Sequence, residues 1–277
     1  MLKEKIQAQI KQAANHLKEK NPMVGSITNS VTINFVANTQ LAVGASAAMV
    51  YLPDEGEAFA KNAGSVYINM GTLLPIYEET LPRTAKMSVA EKTPWVLDPV
   101  AIGIGDLRTK LIKKLKEYPP SIINGNASEI ISLAHSWELI DEGDNEGPRG
   151  VESIRLTEEA KEAAIQLARW TKGAVSVSGE IDLITDGEKV FYYRGGSELM
   201  ERITGFGCTL GGVNASYAAV SSPLIAALSS SAIYKLAGNR TVEKTKLLGD
   251  FQAEFINQLS LATAEDIANY PFELEEV

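Results

Sequence analysis

Ile203-Thr204-Gly205-Phe206-Gly207-Cys208-Thr209-Leu210-Gly211-Gly212 follows a strand-like segment and opens an apolar helical run, Val213 to Val220. A glycine-rich turn that feeds a helix start leaves backbone N–H groups without partners in the first turn. The helix dipole adds partial positive charge there, so the position favours anions. Gly205 and Gly207 admit backbone angles, and a close ligand approach, that side chains would prevent. Cys208, the only cysteine, stands at this helix start, where the same partial charge favours the thiolate. The stretch is not a dinucleotide fingerprint: Leu210 occupies the third glycine position of G-x-G-x-x-G, and the turn lies late in the chain. This disfavours an NAD-dependent oxidoreductase, and no G-x-x-x-x-G-K-[ST] loop occurs.

Outward from this turn the chain alternates strands and helices. Ile6, Ile10, Ala13 and Leu17 recur at helical spacing in Leu2 to Glu19. Val24 to Thr28 reads as a strand. Asn29 or Ser30 can cap the next helix, which Gly44 stops. Further strands are expected at Ala47 to Tyr51, Ser65 to Met70, Trp95 to Leu97, Ser121 to Ile123 and Ala174 to Val177. Helices are expected from Pro53 to Gly64, Ile76 to Glu91 and Asp106 to Glu117. Asn126 caps a short one through Leu133, and Thr157 caps another to Trp170. Trp137 to Gly150, polar and glycine-rich, reads as a surface loop. Asp186-Gly187 between Ile181–Thr185 and Lys189–Tyr193 signals a hairpin. Helices then dominate: Cys208 to Val220, Pro223 to Leu236 and Thr241 to Leu261. The alternation predicts a mostly parallel sheet covered by helices on both faces, in one domain spanning 1–277.

Composition narrows the function. A net charge of −9 argues against a nucleic-acid surface. One cysteine excludes an internal disulfide framework and suits a reducing cytoplasm. Two histidines, His16 and His135, make a histidine metal site or a Ser-His-Asp triad a poor expectation. No signal-peptide core or membrane-spanning stretch is legible.

Ligands of such sheets bind at the carboxyl ends of the strands. Asp98, Asn124, Asn126, Glu129, Ser178 and Glu180 fall there. Asp98 and Glu129 form an oxygen rim suited to Mg²⁺ held mostly through water. The plainer readings make Asp98 a turn residue before proline and Glu129 a partner of the helix dipole.

Several motifs, in order, resemble the hydroxyethylthiazole kinases, the thiamin-salvage branch of the ribokinase-like superfamily. They are Ile27-Thr28-Asn29 with Asn34 to Asn38, Gly44-Ala45-Ser46 with Met49, and Asn69-Met70-Gly71-Thr72-Leu73. Leu97-Asp98-Pro99-Val100, Gly125-Asn126-Ala127-Ser128-Glu129-Ile130, Ser178-Gly179-Glu180, Thr204 to Cys208 and Phe251-Gln252 complete them. The resemblance implies a three-layer α/β/α kinase without a separate lid domain. It implies transfer of phosphate from ATP to the primary alcohol of 5-(2-hydroxyethyl)-4-methylthiazole, with Mg²⁺.

It also implies roles. The Gly205-to-Cys208 turn, with Gly207, is the anion hole. Cys208 stands where many ribokinase-like enzymes carry an aspartate base. Met49, Gly205 and Asn29 line the thiazole site. Asn124, Asn126 and Ser178 contact the nucleotide, and Asp98 and Glu129 organise the metal. The family is a homotrimer with sites shared between subunits. One departure is Asn124, where the family commonly has arginine. A neutral amide lacks the charged fork of arginine, and Arg108 and Lys110 are candidate substitutes. Competing expectations are a non-catalytic thiazole-binding paralogue and a lyase of the same fold acting on hydrated nicotinamide nucleotides.

Overall fold

A parallel strand with both faces covered must bury nearly every residue, and Ser65–Asn69 (β3) and Trp95–Asp98 (β4) do so throughout. The computed structural model describes residues 2–141 and 152–277. Met23–Ile27 (β1), Ser46–Met49 (β2), β3, β4, Ile122–Asn126 (β5) and Ala174–Ser178 (β6) pair in parallel. Ile181–Thr185 (β7), Lys189–Arg194 (β8) and Glu273–Glu276 (β9) continue antiparallel. The order of this nine-stranded sheet is β2-β1-β3-β4-β5-β6-β7-β8-β9.

Helices cover both faces. Leu2–Lys20 (α1), Ile33–Val43 (α2), Phe206–Ala218 (α8), Pro223–Lys244 (α9), Leu248–Leu261 (α10) and Ala264–Ala268 (α11) build one core. Pro53–Asn62 (α3), Tyr77–Glu91 (α4), Asp106–Leu115 (α5), Ala127–Ser136 (α6) and Glu152–Thr171 (α7) build the other. Strand residues divide with period two: Tyr67, Val96, Ile122 and Ala174 join the α8 side, while Ile68, Leu97, Ile123 and Val175 join the opposite side. By the same alternation Asn69, Asp98 and Asn124 face α8. That helix is buried nearly all round, which explains its apolar, small-residue sequence. At Gly211 it presses so closely on β3 that a Cβ would come within 2.6 Å of the Tyr67 ring.

The expected architecture holds, with local corrections. Gly44 does stop α2, at φ 107°. The segment before Gly205 is no strand: β8 ends at Arg194, and a 3-10 turn, Glu198–Met200, intervenes. α9 runs through Thr241, which is buried inside it rather than starting a helix. α7 begins at Glu152, so Thr157 lies within it. Trp137 belongs to the core and not to a surface loop; it packs on Trp170 at 5.1 Å and donates to the Ile112 carbonyl. Residues 142–150 of that expected loop lie outside the described residues. β9 was not anticipated, because its Glu-Leu-Glu-Glu sequence reads as a polar tail. Among the described residues no helix is long and apolar enough to cross a membrane.

Candidate active site

Three neighbouring parallel strands end together, and alternation aims Asn69, Asp98 and Asn124 at the first turn of α8. Gly205 caps that turn at φ 101°, where a Cβ would meet Thr32 Cγ2 at 2.7 Å. A Cβ on Gly207, by contrast, would meet nothing within 4 Å. The turn is therefore fixed on one side and open on the other, with first-turn N–H groups free of intrahelical partners.

A buried polar cluster lies beneath it. The Tyr67 hydroxyl stands 2.8 Å from Asp98 Oδ2 and 2.7 Å from the Cys208 carbonyl. Asn69 Nδ2 donates to Tyr67 Oη at 2.9 Å and to Asp98 Oδ2 at 3.0 Å. Asn124 Nδ2 donates to Asp98 Oδ2 at 3.3 Å and to the Gly207 carbonyl at 3.2 Å, while its oxygen accepts from Asn214 Nδ2 at 3.1 Å. Asn29 Nδ2 links Asn69 Oδ1 at 3.0 Å to Cys208 Sγ at 3.3 Å. Two consecutive carbonyls of the glycine turn are thus held from below by side chains of β3 and β5.

Burial sets the protonation here. Loss of water, then the nearby Glu129 charge, pushes the Asp98 carboxyl up to about 8, although three side-chain donors oppose the rise. Burial and the Asp98 charge push the Cys208 thiol up to about 11. The expectation of a favoured thiolate is therefore overturned. Desolvation and a neighbouring carboxylate outweigh the partial charge of the helix end.

Glu129 sits in the first turn of α6, where its Oε2 accepts from the Asn126 N–H at 2.9 Å and Asn126 Oδ1 accepts from the Glu129 N–H at 3.0 Å. This capping box realises the plainer reading while leaving Glu129 close enough to act on Asp98. Ser178 ends β6, and its hydroxyl makes one long bond of 3.4 Å to the Gly125 carbonyl.

A cavity of about 640 Å³ opens beside the glycine turn, lined by Asn126, Ser178, Gly207, Asp182 and Lys235 among others. Asn126, Ser178 and Gly207 thus meet on one side of the turn, whereas Asn29 and Cys208 meet on the other. Asn124 is buried at 1% exposure between the sheet and the turn, not on the cavity wall. Met49 is half-buried on the outer strand β2, apart from the hydrogen-bonded cluster. The candidate substitutes for a family arginine lie elsewhere: Arg108 donates to the carbonyls of Met70, Gly71 and Ile104, and Lys110 pairs with Glu78 on the surface.

Sequence reading missed Tyr67, Asn214 and the pair Lys235–Asp182. A signal existed for two of them. Tyr67 and Asn69 alternate with Val66 and Ile68, a polar stripe on an otherwise apolar strand. Lys235 is the one charge in the run from Pro223 to Gly238.

Pyridoxal kinase from Staphylococcus aureus shares the fold, with a TM-score of 0.55 at 16% identity over 92% of this chain and 99% of its own. The architecture is that of a ribokinase-like three-layer α/β/α protein. The hydroxyethylthiazole kinase protein of Pyrococcus horikoshii OT3 superposes far more closely, with a TM-score of 0.83 at 29% identity, covering 97% of this chain and 98% of that one. Hydroxyethylthiazole kinase of Bifidobacterium animalis subsp. lactis is 43% identical over 279 residues, 97% of this chain and 92% of its own length. The sequence pattern of the Hydroxyethylthiazole kinase family matches residues 14–265. The chain belongs to the hydroxyethylthiazole kinase family.

Proposed function

We propose that this enzyme phosphorylates the primary alcohol of 5-(2-hydroxyethyl)-4-methylthiazole with ATP, a phosphotransfer of thiamin salvage. The observation that carries the reading is the two-sided glycine turn. Gly207 opens on the cavity lined by Asn126 and Ser178, and Cys208 faces Asn29 on the other side. The nucleotide is assigned to the cavity and the thiazole alcohol to the Asn29 side, so the phosphoryl group crosses at the helix start. There the N–H groups of the first turn meet the charge that develops in the transition state.

The residues fit Mg²⁺. Asp98 and Glu129 offer oxygen only, and their mutual repulsion, which raises Asp98, is relieved by a cation. Among the described residues no group of three or more His, Cys, Asp or Glu forms a closed metal cage. That accords with an ion held by one or two carboxylates, water and phosphate. When bound, Mg²⁺ neutralises phosphate charge. The chain's own part is positional. Asn29 orients the acceptor, and Cys208, neutral at physiological pH, shapes its side of the turn. Phosphoryl transfer through a loose transition state requires alignment more than early proton removal. Asn124 acts indirectly in this reading, by holding the Gly207 carbonyl.

Residues 1–277 act as one catalytic unit, supported by the single sheet that runs through the chain. A cytoplasmic setting suits the unpaired thiol. Assembly as a homotrimer gives Met49 a place: on the outer strand it serves a site shared with a neighbouring subunit. Light scattering should give about three times 29.9 kDa; an active species at the monomer mass refutes the shared site. The reaction itself is tested with purified protein, Mg-ATP and the thiazole alcohol. Mass spectrometry should find the phosphorylated alcohol beside ADP, and ATP turnover without that product refutes the acceptor.

A further inference from the structure

The two hairpins of the sheet are built differently. Between β7 and β8, Gly187 takes φ 89°, Asp186 Oδ1 accepts from the N–H groups of Glu188 and Lys189, and Arg169 of α7 adds one bond to the Gly187 carbonyl at 2.9 Å, so a left-handed residue and an aspartate make most of that turn. Short hairpin connections normally need such a left-handed residue. The connection from Ser178 to Asp182, between β6 and β7, has none. It is braced from outside.

The brace is Lys235 of α9. Its ammonium donates to the Gly179 carbonyl at 2.7 Å and the Glu180 carbonyl at 3.2 Å, and pairs with Asp182 Oδ1 at 3.0 Å. An ammonium has three N–H donors, and all three go to this one connection. Asp182 Oδ1 in turn accepts from the Gly179 N–H at 3.1 Å, so Gly179 is gripped at both its N–H and its carbonyl. The pair is buried, with side-chain exposures of 6% and 4%. Burying an ion pair brings little net stability over an apolar pair of similar size; what it brings here is a defined path for the chain. That path carries Ser178 and forms a wall of the cavity that Lys235 and Asp182 also line.

We propose that Lys235 is a positioning residue for the nucleotide: its ammonium sets the Ser178–Asp182 connection and thereby aims Ser178 and the cavity wall at ATP. The proposal rests on the assignment of the nucleotide to this cavity. Among the described residues, no cation other than Lys235 reaches the cavity from within the core, since Arg194, which also lines it, is tied at the rim to Glu273.

The test uses the full chain with Lys235→Met, and with Lys235→Met combined with Asp182→Asn. The single variant strands a buried carboxylate and loses thermal stability. The double variant removes that charge and recovers most of it. In both, the KM for ATP rises about tenfold, the effect of a lost bond to a charged group, while the KM for the thiazole alcohol stays within about twofold. Recovery of stability without recovery of the ATP KM separates positioning from a merely structural role. An ATP KM that returns to the wild-type value in the double variant overturns the proposal, as does a parallel rise in the thiazole KM. Calorimetric titration of wild type with Mg-ATP distinguishes the two levels. No binding by wild type removes the nucleotide assignment and this proposal with it; equal binding by wild type and double variant removes this proposal alone.

Discussion

Replacing Tyr67 with phenylalanine removes one oxygen from the centre of the buried cluster and leaves the ring that packs against Gly211. The hydroxyl lost is 2.8 Å from Asp98 Oδ2 and 2.7 Å from the Cys208 carbonyl, and it accepts from Asn69. Asp98 keeps its bonds from Asn69 and Asn124, so the carboxyl is weakened but not orphaned. The Cys208 carbonyl loses its tie to β3, and with it the glycine turn loses one of two fastenings. A bond of this kind to a charged or strongly polar group is worth about 2 kcal/mol, which in a chain of this size lowers Tm by roughly 3–4 °C. The turn matters most in the transition state, so kcat should fall about tenfold while both KM values stay within about twofold. Thermal melting and a coupled ADP-release assay measure the two effects together. A lowered Tm with wild-type kcat would show that the hydroxyl holds the core but not the anion hole. Wild-type values of both would refute the network.

Three further outcomes follow from the same geometry. Alkylation of Cys208 by iodoacetamide should accelerate with pH toward about 11 instead of levelling near the ordinary value of 9.0; a plateau below pH 8 would restore the thiolate expected from the helix end. Asp98→Asn and Glu129→Gln should each lower turnover at limiting Mg²⁺ at least tenfold with little change in thiazole binding, and normal turnover in both would remove their metal role. Asn124→Arg should lower Tm by several degrees without improving the KM for ATP, because the position is enclosed by Asp98, Asn214 and the Gly207 carbonyl. A folded variant with a lower ATP KM would instead make position 124 a direct phosphate ligand.

Much of the fold was legible because parallel strands and their helices leave local marks. Gly44 ended α2, Asn126 capped α6 and Asp186-Gly187 turned the β7–β8 hairpin as their chemistry dictates. Errors arose where tertiary contacts overrode local pattern. Trp137 sits in a polar neighbourhood of sequence yet is drawn into the core by Trp170. Thr241 looks like a cap but is absorbed by α9, its hydroxyl donating to the Ala237 carbonyl at 2.7 Å. β9 depends on β8 and on ion pairs such as Arg194–Glu273, which no local pattern announces. At the site, individual residues could be picked out at strand ends, but the direction of each side chain could not. Asn124 points inward and Asn126 borders the cavity, although two positions apart on the same strand; the difference lies in how far each stands beneath α8. The protonation of Cys208 is not legible in the sequence because the helix end is a local feature, whereas the burial that chiefly raises the thiol, and the Asp98 charge that adds to it, come from tertiary packing and a distant strand.

The two borders of the sheet carry unequal risk for the nascent chain. β9 ends the sheet with Glu273, Glu275 and Glu276; Glu273 and Glu275 are paired with Arg194 and Lys161, and charged side chains of this kind on an edge strand disfavour pairing with another chain. β2 ends the other side with Ser46-Ala47-Ala48-Met49, short and without charge. Its outer backbone groups are therefore the place where a partly folded molecule can be captured by another through main-chain pairing. Sticky self-association during synthesis or refolding should begin at that border, and a single lysine on β2 would guard it.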